Sequence, residues 1–135
     1  MTTIGYNAFE NCTGLKKVEL NEGLTTINNY AFSGCTALEE ITLPYAGESL
    51  ESVNKEGSDQ YIVDRLFDIP VSDKTYKVTD RYGYGGYVPN SLKKITITGG
   101  TRIPSHAFDG FKGVTEFVLP DTITSIGDYA FYNCE

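Results

Sequence analysis

Three thiols, one imidazole and a run of tyrosines are the side chains in this sequence whose types suit chemistry. Cys12, Cys35 and Cys134 are its cysteines and His106 its histidine. An odd cysteine count argues against a disulfide framework, and the spacing offers no CxxC or CxxH pair for zinc. A Cys12–Cys35 bridge remains an open alternative. The three thiols share a place in a recurring apolar pattern, and Phe111 takes that place once. A position that accepts Phe asks for an apolar body, so buried structural thiols are expected. His106 sits in "IPSHAF", in a slot held elsewhere by Asn7, Tyr30 and Tyr129. Such a variable slot predicts a solvated surface histidine, with no nucleophile placed beside it. The acids of "GESLESVNKEGSD" and "DRLFDIPVSD" lack calcium-loop spacing. No catalytic residue, metal site or cofactor is assigned.

The stretch "DRYGYGGYVP" carries a different chemistry. Tyr82, Tyr84 and Tyr87 alternate with Gly83, Gly85 and Gly86. No helix or Lys-Ser/Thr pair follows, so it is not a phosphate loop. Tyrosine offers large amphipathic contact area with few rotatable bonds. These three residues are candidate ligand contacts, or else they pack against the flank of the fold.

The elements that must position these groups come from a repeat. Ile4, Ala8, Phe9, Cys12, Leu15, Val18 and Leu20 recur 23 residues later as Ile27, Ala31, Phe32, Cys35, Leu38, Ile41 and Leu43. Ile103, Ala107, Phe108, Phe111, Val114, Phe117 and Leu119 keep the same spacing, and Ile126, Ala130, Phe131 and Cys134 begin another copy. In the middle, Ile62, Leu66 and Phe67, then Leu92, Ile95 and Ile97, fit the same template. Repeats therefore start at 4, 27, 62, 103 and, in part, 126, with insertions near 45–61 and 68–91. The second half of each unit ("LKKVEL", "LEEITL", "LKKITI", "VTEFVL") alternates as a short half-buried strand does. In the first half, apolar residues at i, i+4, i+5 and i+8 suit one or two helical turns. One unit cannot bury its apolar face alone, whereas stacked units share a continuous core. The fold class expected is α/β: a right-handed solenoid of 23-residue units with short parallel strands and short helical turns, spanning 1–135 as a single segment.

That stacking puts outward strand residues in rungs: Lys17 and Glu19, Glu40 and Thr42, Lys94 and Thr96, Glu116 and Val118. They form a second candidate ligand surface, although their alternating charges suit cross-strand pairing equally well. Eleven Lys and Arg against 18 Asp and Glu give a net charge of −7, which repels phosphate backbones. Nucleic acid is not an expected partner. No apolar run is long enough to span a bilayer, so no membrane insertion is expected, and the start has no signal-peptide pattern.

The pattern I-x-x-x-A-F-x-x-C-x-x-L-x-x-I-x-L-P resembles the BspA-type leucine-rich repeats of bacterial surface and secreted proteins. The inward Asn of leucine-rich repeats in general is missing, with Gly23 and Thr122 near its place. The resemblance implies a right-handed solenoid, an extracellular or cell-surface location, and a non-catalytic binding or adhesion role toward an extracellular protein or glycan. Alternatives are a structural spacer or self-assembly segment, or a carbohydrate-active enzyme. The sequence opens mid-pattern with "TTIG" and ends at Glu135 where an apolar strand is due. A segment of a longer protein that associates end to end is therefore expected.

Overall fold

In the computed structural model, residues 2–47, 49–55, 66–67, 74–79 and 85–134 are described. Along the chain run β1 (Thr3–Ile4), β2 (Lys17–Glu19), β3 (Thr26–Ile27), β4 (Glu40–Leu43) and α1 (Leu50–Asn54). They are followed by β5 (Thr75–Thr79), β6 (Gly85–Pro89), β7 (Lys94–Ile97), β8 (Arg102–Ile103), β9 (Glu116–Val118) and β10 (Ser125–Ile126). The alternating halves of the repeats pair into one four-stranded parallel sheet in the order β2-β4-β7-β9. Its register follows the template: Val18 faces Ile41, Ile41 faces Ile95, and Ile95 faces Phe117. The strand half of the interrupted third unit, with Ile95 and Ile97, thus pairs in the template register. Two-residue strands stack the unit starts as well, Ile4 on Ile27 and Ile103 on Ile126.

In the first, second, fourth and fifth units the expected helical turns do not form. Helix α1 lies in the first insertion and not in a repeat, while Leu66 of the third unit is helical. The repeat's first half is instead a train of tight turns. Ala8, Glu10, Cys12 and Leu15 each donate their amide three residues back, to Gly5, Asn7, Phe9 and Cys12. Ala107, Asp109, Phe111 and Val114 repeat the set, bonding to Pro104, His106, Phe108 and Phe111. The reason is backbone hand. Asn7, Tyr30, His106 and Tyr129, each just before the Ala-Phe pair, have φ between 52° and 63°. Two residues after each pair, Asn11, Gly34, Gly110 and Asn133 are left-handed too, with φ of 59°, 75°, 83° and 57°. A left-handed residue every fourth position stops α-helix propagation.

Breaking the helix frees each Phe amide to bond across the stack. Phe9 donates to Ala31, Phe32 to Leu66 and Phe108 to Ala130, all at 2.8 Å. Leu66 thus stands where the other coils have Ala. The rings follow: Phe9 stacks on Phe32 at 5.2 Å, and Phe108 on Phe131 at 5.6 Å. Phe32 and Phe108 are fully buried, as are Ile27, Leu38, Ile41, Leu92 and Ile95. In the outer coils the equivalent Phe9, Val18, Phe117 and Phe131 are half-buried, because a neighbour covers them on one side.

The two insertions carry the remaining elements. Ser49 caps α1, accepting from the amide of Ser52 at 3.2 Å. Asn54 at the helix end accepts from the amide and hydroxyl of Thr101 at 2.8 and 3.0 Å. In the second insertion β5 and β6 form an antiparallel hairpin, Thr75 opposite Pro89 through Thr79 opposite Gly85.

Candidate functional site

The sheet face brings the predicted strand residues together. Lys17, Glu40, Lys94 and Glu116 form one column across the four strands, and Glu19, Thr42, Thr96 and Val118 the next. Neighbouring strands in such a sheet lie about 4.8 Å apart, so the charges in a column meet directly. Lys94 pairs with Glu116 at 3.3 Å, and Lys17 lies 3.1 Å from Glu19 and 3.9 Å from Glu40. Glu19 first, then Glu40, hold the Lys17 ammonium pKa above its ordinary value. A flanking column adds Lys16 to Glu39 at 3.9 Å and Lys93 to the Gly113 carbonyl at 3.2 Å. These side chains are exposed and largely satisfied by one another. Cross-strand pairing accounts for the pattern, and such pairs contribute little stability individually.

The hairpin presents a different arrangement. Tyr76 and Val78 point to the turn layer of the fourth coil. The Tyr76 hydroxyl accepts from the Gly113 amide at 3.2 Å, and Lys112 lies 5.6 Å from the Tyr76 ring centre. A Cβ on Gly113 would stand 2.8 Å from the Tyr76 ring, so the close approach requires glycine there. Burial pushes the Tyr76 phenol up to about 12. Strand alternation turns Lys77 to the opposite face, directly across from Tyr87. Lys77 is exposed and Tyr87 half-buried. Tyr82 and Tyr84 lie outside the described residues. Of the tyrosine candidates, Tyr87 is thus placed on the outer face of a docked hairpin. Reading the second insertion as a loop missed Tyr76 and Lys77, although "TYKVT" alternates as a strand should.

A third feature is a cavity of about 470 Å³ between α1 and the loops after β4 and β7, bordered by Tyr45, Leu50, Asn54, Thr98 and Thr101. Both threonine hydroxyls on its border are engaged: Thr98 donates to the Leu43 carbonyl, and Thr101 to Asn54. Sequence reading missed this cavity, since Tyr45, Leu50 and Asn54 of the insertion close it against loops of the repeat units.

The thiols are structural. All three cysteines are free, Cys35 buried and Cys12 and Cys134 half-buried at the outer coils. Cys35 Sγ donates to the Phe9 carbonyl and Cys134 Sγ to that of Phe108, each at 3.1 Å. Each bond crosses to the preceding coil. Burial pushes both thiols up to about 11. Phe111 fills the same slot at 1% exposure. His106 departs from expectation. Its side chain is only 14% exposed, its Nδ1 meets Asp109 Oδ2 at 2.9 Å, and the Tyr129 ring of the next coil stacks 5.2 Å away. Stacking brings one variable slot over another and covers the imidazole. No group of three or more metal-ligating side chains occurs among the described residues.

A 23-residue register, a parallel sheet of strand halves and a thiol-bearing turn layer decide the relationship. The BspA type leucine rich repeat region matches in six copies, over residues 1–67 and 85–135. The chain belongs to the BspA-type leucine-rich repeat family. This BspA-type chain is also similar to a leucine-rich repeat protein from Bacteroides ovatus ATCC 8483, known from a crystal structure. The two are 25% identical with a TM-score of 0.35, over 99% of this chain and 44% of the other. The BspA-type chain thus spans less than half the length of that relative. No curated protein matches it. Among its described residues, no helix is long and apolar enough to cross a membrane.

Proposed function

We propose that this BspA-type chain is a non-catalytic binding module of a bacterial cell-surface or secreted protein, and that it recognises an extracellular protein or glycan. The contact surface is the outer face of the β5–β6 hairpin, where Lys77 and Tyr87 lie side by side, together with Tyr82 and Tyr84 of the same tyrosine- and glycine-rich stretch. One observation carries this reading. The inner face of the hairpin is fastened to the fourth coil through Tyr76, with Val78 3.1 Å from where a Cβ on Gly110 would stand. A fastened hairpin holds its outer side chains in place before any partner arrives, which lowers the ordering cost of binding. The sheet face, by contrast, spends its charges on internal pairs.

A panel of extracellular proteins and glycans is screened with the intact chain, and the best saturable partner is titrated against variants. Replacing Tyr82, Tyr84 and Tyr87 with Ser should weaken binding at least about tenfold, as removal of aromatic anchors does, with the far-UV spectrum unchanged. An unchanged affinity would move the contact to Lys17, Glu19, Glu40, Thr42, Lys94, Thr96 and Glu116.

A further inference from the structure

The cleft of about 470 Å³ beside α1 lies on the flank of the stack, where the chain leaves β2, β4 and β7. Its walls are tied down by the fold itself. Val53 anchors α1 in the core at 0% exposure, and the Asn54 carboxamide oxygen holds the Thr101 amide and hydroxyl. A Cβ on Gly99 would stand 2.8 Å from the Pro44 carbonyl oxygen, so two of the loops press together at a glycine.

The wall offers three kinds of group. The first are donors. The backbone enters the left-handed region at Gly100, with φ of 84°, and turns of this kind set successive amides side by side. Thr101 spends its amide on Asn54, whereas the Gly99 and Gly100 amides meet no acceptor among the described residues. The Asn54 NH2 group is a further donor, the oxygen beside it being already engaged. The second are acceptors. Among the described residues, the Pro44 carbonyl takes no amide and the Glu22 carboxylate no cation. The third is an apolar edge, Leu50, which is 44% exposed.

Glu22, in a chain of net charge −7, opposes a phosphate, sulfate or carboxylate. Bare amide donors oppose a metal ion. An added peptide strand takes its main-chain bonds from one sheet edge, whereas here donors and acceptors come from three loops and a helix. A hydroxyl both donates and accepts, so a ring carrying several hydroxyls answers the mixed set. We infer that the cleft binds an uncharged saccharide, its hydroxyls divided between the Gly99 and Gly100 amides and Glu22, and one C–H face laid on Leu50. The volume falls within the range of about 300–1,000 Å³ usual for small-molecule sites. Among the described residues, none of the hairpin borders the cleft, so this site and the hairpin contact stand or fall separately.

Maltose, cellobiose, lactose and diacetylchitobiose are titrated into the intact, isotope-labelled chain, with glucuronate and sialyllactose as charged probes. At least one neutral disaccharide should saturate, moving the Gly99 and Gly100 amide signals and the Asn54 side-chain NH2 signals together. The charged probes should bind at least about tenfold more weakly, since a like charge would face Glu22. Glu22→Gln keeps an acceptor and removes the charge. It should weaken the neutral sugar about three- to tenfold and narrow the gap to glucuronate. Leu50→Ser should weaken the neutral sugar as well. Replacing Tyr82, Tyr84 and Tyr87 with Ser should leave its affinity unchanged. Gly99 and Gly100 signals unmoved by all four disaccharides would overturn the inference. So would sugar-induced shifts confined to the hairpin, glucuronate bound as tightly as the neutral sugar, or a Glu22→Gln chain that binds like the original.

Discussion

Gly34→Ala separates a turn train from a helix by the sign of its effect. In a helix interior, alanine in place of glycine stabilises by about 1 kcal/mol. Gly34 has φ of +75°, where an L-residue costs about 1–2 kcal/mol because its Cβ crowds the following carbonyl. The new Cβ would also meet the Asn11 side-chain oxygen of the neighbouring coil. Asn11 is exposed and can swing aside, so the backbone conformation sets most of the cost. For a urea m-value of about 2 kcal/mol/M, a loss of 1–2 kcal/mol lowers the midpoint by roughly 0.5–1 M. The ten tyrosines supply a fluorescence signal in a chain without tryptophan, and far-UV dichroism follows the sheet. The converse variant Asn11→Gly should leave the midpoint unchanged or raise it slightly. A midpoint that rises in Gly34→Ala would refute the left-handed turn and restore the helix.

Phe32→Ala and Phe108→Ala each empty a fully buried ring site and should cost about 3–5 kcal/mol in the same assay; a loss within error of zero would contradict the stacked core. Cys35 and Cys134 have pKa values raised in the folded state, so their contribution is complete below about pH 9 and falls away as pH rises toward 11. Stability measured from pH 8 to 11 should decline accordingly, with native thiol labelling at pH 8 slowest at Cys35; a flat profile would contradict this. Tyr76→Phe removes the acceptor of the Gly113 amide and should cost about 1 kcal/mol, while amide exchange quickens in residues 75–79 and 85–89. Unaltered exchange there would mean that the hairpin holds without this bond.

The strand halves were legible because alternation and a 23-residue spacing leave one register. Val18, Ile41, Ile95 and Phe117 have a single way to share a column. The turn half was misread because Ile-x-x-x-Ala-Phe-x-x-Cys places its apolar residues on one side of a helix and of a turn train alike. Asn11, Gly34, Gly110 and Asn133 held the clue, since Asn and Gly are the residues that enter left-handed backbone most readily. Tyr30, His106 and Tyr129 adopt the same hand with no such mark in their side chains. There tertiary packing overrides local preference. Of the site, Tyr87 and the sheet-face column could be named from the sequence. Tyr76 and Lys77 were missed although the strand alternation of residues 75–79 was there to read, and the partly buried His106–Asp109 pair could not be named, because variable slots carry no periodicity to place it. Tyr82, Tyr84 and Ile62 fall outside the described residues.

The insertions have a mechanical consequence. Strand pairs, Phe amides and thiols all tie a coil to the one beside it, so a load along the stack is carried gap by gap. One contact departs from that rule: Asn54, in the insertion of the second repeat, grips Thr101 at the threshold of the fourth. The hairpin within the third repeat adds a further tie to the coil beside it, at Gly113 of the fourth. Among the described residues, these added ties brace the middle coils. Stretched from its ends, the molecule should yield from outside inward, each plain 23-residue coil paying out roughly 80 Å of chain at about 3.3–3.6 Å per residue. The 35- and 41-residue coils, at roughly 120 and 140 Å, should hold longest and release last.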